Sequence, residues 1–302
     1  MTGKIGIFAP EQVGDCALAT CVLKHKEKLW PGKEIVWFGH LAPHKAIYGD
    51  VLKYNEYISE IRDWPDFKTM ENFRSCIDPN GQLVLNKRDE FDEFKDLNGG
   101  YFAVPWCVLP NNAFNAVNYA NISRIVYGAD PSWEWHPCIG YAPEEYEAAK
   151  EFRSKLPYDK TIILETELRS AGMFRLAEDT IKSLMSICRA KFGKCNFIFA
   201  SKIDHTPFVD GPEVVSCSDF TPRQTGLIHD HCDLAIGVCS GLTQIWSSWG
   251  RNPVPRLELC GSMIVSSVIA NGPVDSVICD NFNLAQMKAG LEQRLQEVLS
   301  KF

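Results

Sequence analysis

Two short stretches carry residues suited to chemistry on a phosphate-activated substrate, and they lie toward opposite ends of the 302-residue chain. The first is Gln12-Val13-Gly14-Asp15, a loop expected at the carboxyl end of a first strand, Lys4–Phe8. A carboxylate there can act as general base toward an acceptor hydroxyl. The second is Cys232–Gly250, CDLAIGVCSGLTQIWSSWG, in which the apolar run Leu234–Val238 reads as a buried strand. It breaks at Cys239-Ser240-Gly241 and resumes as a helix carrying Ile245, Trp246 and Trp249. Such a turn directs backbone N–H groups and the positive end of a helix toward an anion. Gly241 would let the backbone approach a ligand, while Ser240 and Thr243 add hydroxyls, with Leu242 between them. Each stretch also has a plain structural reading, because Asp15 and Ser240 are both good helix N-caps.

Other candidates surround the second stretch. Ser201 and Lys202 follow the expected strand Phe197–Ala200, where the lysine could meet a phosphate as a point charge, and His205 lies in the same loop. Glu165, Glu167 and Arg169 follow the apolar run Thr161–Leu164. Two acids there would repel a diphosphate but could bond sugar or ribose hydroxyls. His229 and His231 flank a helix end, where a structural part is the simpler reading.

These residues need a scaffold of alternating strands and helices. Lys4–Phe8, a helix over Cys16–Leu29 stopped by Pro31-Gly32, and the strand Glu34–Phe38 form the start of a parallel sheet. Tyr57–Ile61 and Leu83–Leu85 are further candidate strands, Lys87–Lys95 is a charged stretch without assignable chemistry, and Asn115–Tyr127 reads as a helix. After the helix Glu144–Leu156 the rhythm restarts, with strands at Thr161–Leu164, Phe197–Ala200, Val214-Val215, Leu234–Val238, Val254–Leu259 and Ser276–Ile278. Helices are expected over Asp179–Phe192 and Pro222–His231. Asn283–Phe302 is amphipathic, with Met287, Leu291, Leu295 and Leu299 on one face. The expected fold class is α/β, with two Rossmann-like parallel-sheet domains facing a cleft: 1–157 on the acceptor side and 158–282 binding the donor. The final helix, 283–302, is expected to pack back on the first domain.

Composition narrows the function. Lys and Arg total 31 against 38 Asp and Glu, a net charge of −7, so no overall field draws in nucleic acid or anionic lipid. The twelve cysteines include no pair at the spacing of a zinc or thioredoxin-type motif, and several lie in apolar runs. No signal peptide is recognisable in the first residues and no apolar stretch is long enough to span a bilayer, so a cytoplasmic location with reduced thiols is expected. No Asp-X-Asp motif or other metal-ligand cluster is evident, so neither a metal nor a cofactor is expected.

The segment from Gly14-Asp15 through Leu18-Ala19-Thr20 to Trp30-Pro31-Gly32 and EIVWF resembles the amino-terminal signature of the ADP-heptose:lipopolysaccharide heptosyltransferase family. CDLAIGVCSGLTQIWSSWGRNPV resembles that family's donor-diphosphate segment, with Ser240-Gly241-Leu242 on the turn and Thr243 at the variable place after it. The resemblance implies a GT-B fold and inverting, metal-independent transfer from a nucleotide sugar, with Asp15 as base. It implies a glycan, lipid-linked or protein acceptor. The chain departs from the pattern in having Cys239 for Asp and Gln244 for His, and no Lys within Glu165–Phe174, where the family has a Lys-X-Trp-Pro-type segment. A GDP- or UDP-sugar transferase or epimerase, and a non-catalytic nucleotide-sugar-binding module, stay open beside it.

Overall fold

Most of the apolar, β-prone runs become strands of two parallel sheets. The computed structural model describes residues 3–8, 13–39, 46–63, 91–96, 127–130, 132–168, 174–200, 206–208, 210–238, 240–261, 274–279 and 284–302. The chain divides into two units, Met1–Gly140 and Tyr141–Phe302, ahead of the boundary expected after residue 157.

In the first unit, β1 (Lys4–Phe8), β2 (Glu34–Gly39), β3 (Glu60–Asp63) and β4 (Glu93–Asp96) form a parallel sheet in the order β3-β2-β1-β4. Helix α1 (Val13–Ala19) begins three residues before the expected helix, so Asp15 lies in its first turn and is not its cap. The expected continuous helix is also broken: Thr20–His25 is a 3-10 helix, and α2 (Lys26–Leu29) follows it. At the break the Thr20 hydroxyl donates to the Ala17 carbonyl at 2.6 Å and accepts from the Cys138 backbone at 2.9 Å. A hydroxyl bonded back to the preceding turn competes with the helical ladder. Helix α3 spans Ala46–Leu52. Tyr127 donates to the Ala19 carbonyl, and Asn55 Nδ2 donates to the Cys138 carbonyl, so the unit's last residues are tied to its first helices. Strand β4 lies where a solvated charged stretch was expected. Leu83–Leu85, Pro105–Asn112 and most of Asn115–Tyr127 fall outside the described residues.

The second unit begins with α4 (Pro143–Ser154) and β5 (Lys160–Glu165), and a two-residue hairpin follows, β6 (Glu167–Leu168) with β7 (Phe174–Arg175). Then come α5 (Glu178–Phe192), β8 (Cys195–Phe199), β9 (Val214–Ser216), α6 (Thr225–His229) and β10 (Leu234–Val238). Helix α7 (Gly241–Trp246), β11 (Arg256–Gly261), β12 (Val274–Cys279) and α8 (Leu284–Leu299) complete it. Six strands pair in parallel in the order β12-β11-β10-β5-β8-β9. That is the Rossmann order 3-2-1-4-5-6 read from the β9 edge, and it reverses direction between β5 and β10.

Both faces of this sheet are covered, which is why its strands read as unbroken apolar runs. On one face Ile162, Leu164, Phe197, Phe199 and Ile236 pack against Leu184 and Met185 of α5 and against Leu291, Leu295 and Leu299 of α8. The last three are the apolar stripe read from the sequence. On the other face Ile163, Ile198 and Ala235 meet Ala149 of α4, Leu227 of α6 and Trp246 of α7.

A buried ion pair holds α4 in this second unit. Arg223 Nη1 donates to Glu145 Oε2 at 2.6 Å, and Arg223 Nη2 donates to Oε1. Glu145 also accepts from the Ala142 backbone at 2.9 Å and from Gln224 Nε2 at 2.8 Å. Burial would raise the Glu145 pKa, but these donors outweigh it and hold the carboxyl below its usual range. Arg223→Met, which strands Glu145, should destabilise the second unit by about 3–5 kcal/mol in urea unfolding, with most of the loss recovered in Arg223→Met/Glu145→Gln. A loss below about 1 kcal/mol would place the pair with weak surface bridges.

Candidate functional site

In open parallel sheets, ligands bind outside the carboxyl ends of the strands where the strand order reverses. Here that point lies between β5 and β10. Glu165 stands opposite Gly237 and Leu164 opposite Ile236, so the two strands finish side by side. Gly237 is required by this pairing, because a Cβ on it would lie 2.2 Å from the Glu165 carbonyl oxygen and 2.7 Å from the Glu165 Cβ. The chain then leaves the sheet at Ser240 on one strand and at Thr166 on the other, and the Thr166 carbonyl accepts from Leu176 at 2.9 Å to anchor the hairpin.

Ser240 is the N-cap of α7, as its plain structural reading held. Its Oγ accepts from the Leu242 backbone at 3.1 Å and from the backbone of Thr243. In return the Ser240 N–H donates to Thr243 Oγ1 at 3.1 Å, and that hydroxyl donates to the Ser240 carbonyl at 2.9 Å. This reciprocal capping box satisfies the donors at the start of a short helix. Gly241 opens the helix and is not among the glycines with positive φ, so no backbone strain demands glycine there. Gly237 is the position where glycine is obligatory.

Glu165 is buried, and its Oε1 accepts from the Glu167 backbone at 3.1 Å. Its carboxylate therefore shapes the turn into the hairpin. Val13 and Gly14 open α1, and Asp15 is the helix's third residue, just beyond the carboxyl end of β1. Gln12, Arg169, Ser201, Lys202, His205 and Cys239 lie outside the described residues. Among the described residues, no group of His, Cys, Asp or Glu side chains is placed to hold a metal ion. Among the described residues, no helix is long and apolar enough to cross a membrane.

A polar layer under α7 escaped the sequence reading. Arg256 and Glu258, both buried, point from β11 to the same face as Gly237, which pairs with Glu258. Arg256 Nη1 donates to the Thr243 carbonyl and Nη2 to Ser247 Oγ, each at 2.7 Å, and Nη1 lies 3.3 Å from Glu258 Oε1. His229 is buried, stacks on Trp246 at 5.1 Å, and has no hydrogen-bond partner on either ring nitrogen among the described residues. The signals were present: a glycine inside a strand marks close approach, and Arg256 with Glu258 are charges two apart in an apolar strand.

No protein-family model matches the chain, and no curated protein matches it by sequence. Solved structures do match it. The family 9 glycosyl transferase of Veillonella parvula DSM 2008 aligns at a TM-score of 0.65 and 16% identity, over 99% of this chain and 98% of that one. E. coli ADP-heptose lps heptosyltransferase II aligns at 0.62 and 13% identity, over 99% of both chains. E. coli heptosyltransferase WaaC with ADP aligns at 0.60 and 10% identity, over 98% and 99%. The chain thus has the fold of the family 9 glycosyltransferases and heptosyltransferases, as its motifs implied.

Two measurements probe the site. Burial, then the charges of Arg256 and Arg251, drive the His229 pKa well below 6.5. The unfolded chain therefore takes up the extra proton first, so this contribution to stability is complete above about pH 6.5 and is lost as pH falls below it. Unfolding free energy should drop by up to about 1.4 kcal/mol per pH unit on this account, and His229→Gln should flatten that slope. An unchanged slope would remove His229 from the acid response. Gly237→Ala forces a Cβ against backbone and should cost about 1–3 kcal/mol, whereas Gly241→Ala should cost far less. Equal losses in thermal unfolding would contradict the placement of the constraint.

Proposed function

We propose that the protein is a glycosyltransferase that moves a sugar from a nucleotide-sugar donor, ADP-heptose-like, to a hydroxyl of a glycan, lipid-linked or protein acceptor. The observation that carries this reading is the reversal of strand order between β5 and β10, with the Ser240–Thr243 turn at its edge, in a chain with the heptosyltransferase fold. The nucleoside diphosphate is seated there. Its phosphate oxygens take over the Leu242 and Thr243 N–H groups from Ser240 Oγ, exchanging one set of hydrogen bonds for another. Such fixed donors stabilise charge that develops on the leaving group.

In the reaction, the acceptor hydroxyl loses its proton to the Asp15 carboxylate while its oxygen bonds to the anomeric carbon. The bond from that carbon to the phosphate oxygen breaks on the opposite side, so the anomeric configuration inverts and nucleoside diphosphate departs. No metal is needed in this scheme, and no cofactor beyond the donor itself. A cytoplasmic site of action fits a nucleotide-sugar donor.

A screen of ADP-, GDP- and UDP-sugars with candidate acceptors tests the proposal. The cognate donor should raise the thermal midpoint with the logarithm of its concentration, and nucleoside diphosphate should be released. Binding without release would favour a donor-binding module, a reading that draws on Cys239 and Gln244 standing where the heptosyltransferase pattern has Asp and His. Asp15→Asn should lower turnover by about 10²–10⁴-fold while leaving the donor-induced shift intact. Near-full turnover in that variant would exclude Asp15 as base. Activity should persist in EDTA; a loss restored by added Mg²⁺ or Mn²⁺ would overturn the metal-free scheme.

A further inference from the structure

Helix α7 has six residues, too few to be stable through its own hydrogen bonds. Its first turn is capped by Ser240, but its far end needs other partners. The Ser247 N–H bonds to the Gln244 carbonyl and leaves the Thr243 carbonyl to be satisfied by other donors. Two side chains meet it: Ser247 Oγ donates at 3.0 Å and Arg256 Nη1 at 2.7 Å. Arg256 Nη2 donates to the same Ser247 hydroxyl, closing a ring of three hydrogen bonds. Arg256 opens β11, in register with Ala235 of β10, so the guanidinium ties this helix to the strand beside the one it follows.

We propose that Arg256, with Glu258 as its buried counter-charge, is a positioning residue for the donor site. It acts through Thr243. The carbonyl of that residue is held by the guanidinium, while its hydroxyl accepts from the Ser240 N–H and donates to the Ser240 carbonyl. One residue thus links the floor of the sheet to the turn at its edge. The planar fork of arginine is what allows two acceptors to be held at once, and lysine cannot reproduce it. Glu258 keeps the buried guanidinium paired, and Gly237, standing opposite Glu258 without a side chain, leaves this layer room. The proposal rests on the turn being the seat of the nucleoside diphosphate.

The test is titration calorimetry of ADP, GDP and UDP with wild type, Arg256→Lys and Arg256→Met/Glu258→Gln, well below the unfolding temperature of each. The double variant removes the clamp without leaving a lone buried charge. For the nucleotide that wild type binds, Kd should rise at least tenfold in the double variant and by a smaller factor in Arg256→Lys. Restoring arginine alone, in Glu258→Gln, should recover most of the affinity, which distinguishes the clamp from general loosening of the sheet. Wild-type affinity in a folded double variant would overturn the positioning role. Should that variant not fold, wild-type affinity in Arg256→Lys would overturn it equally. If wild type binds none of the three nucleotides, the donor-site reading fails before the clamp is tested.

Discussion

The second unit depends on how closely β10 can approach β5. Their last paired residues, Gly237 and Glu165, touch backbone to backbone, and one added carbon would separate them. The strand order reverses at this seam, so the packing constraint coincides with the place where the chain leaves the sheet on both sides. A wider gap would displace the Ser240 turn from the Thr166 turn and change the shape of the edge between them. Sheet packing and site geometry are here a single condition.

Around that seam the protein buries charge in an orderly way. Arg223 with Glu145 fixes α4, and Arg256 with Glu258 lies under α7. The Arg223 and Arg251 guanidinia lie 5.4 Å and 4.6 Å from the ring centroid of Tyr141. The Tyr141 hydroxyl occupies the space that a side chain at position 226 would need, and so accounts for a glycine inside α6. Buried pairs of this kind contribute little net stability compared with apolar packing, but removing one partner is costly, so they penalise wrong arrangements. His229 is the exception, a ring that stacks on Trp246 and has no hydrogen bond among the described residues.

Much of this was readable from residue order because the strands of a doubly covered sheet are short apolar runs between turns. LAIGV became a strand with the bounds its apolar character suggested, and Ser240 began a helix. Local pattern could not show what distant partners decide. The helix after β1 starts early and tightens at Thr20, whose hydroxyl meets Cys138 across more than a hundred residues. The helix Pro143–Ser154 looks like the end of one domain until Arg223 is seen to hold it in the next. The turn at Ser240 suggested that Gly241 was the critical glycine, whereas sheet pairing makes it Gly237. Arg256 and Glu258 drew no assignment inside the expected strand Val254–Leu259, because nothing near them in sequence reveals the helix above.

The strand hidden in a charged stretch has a further meaning. Among the described strands, β3 and β4 are the outer members of the first sheet, each four residues long, with sequences EIRD and EFKD. An outer strand offers unpaired amide and carbonyl groups to any other chain that can lie alongside. Brevity and charge of both signs make that pairing unfavourable. Wherever such an edge stays open, the acidic and basic residues that concealed β4 as a strand would disfavour that pairing, while Phe94 covers Gly6 of the neighbouring strand.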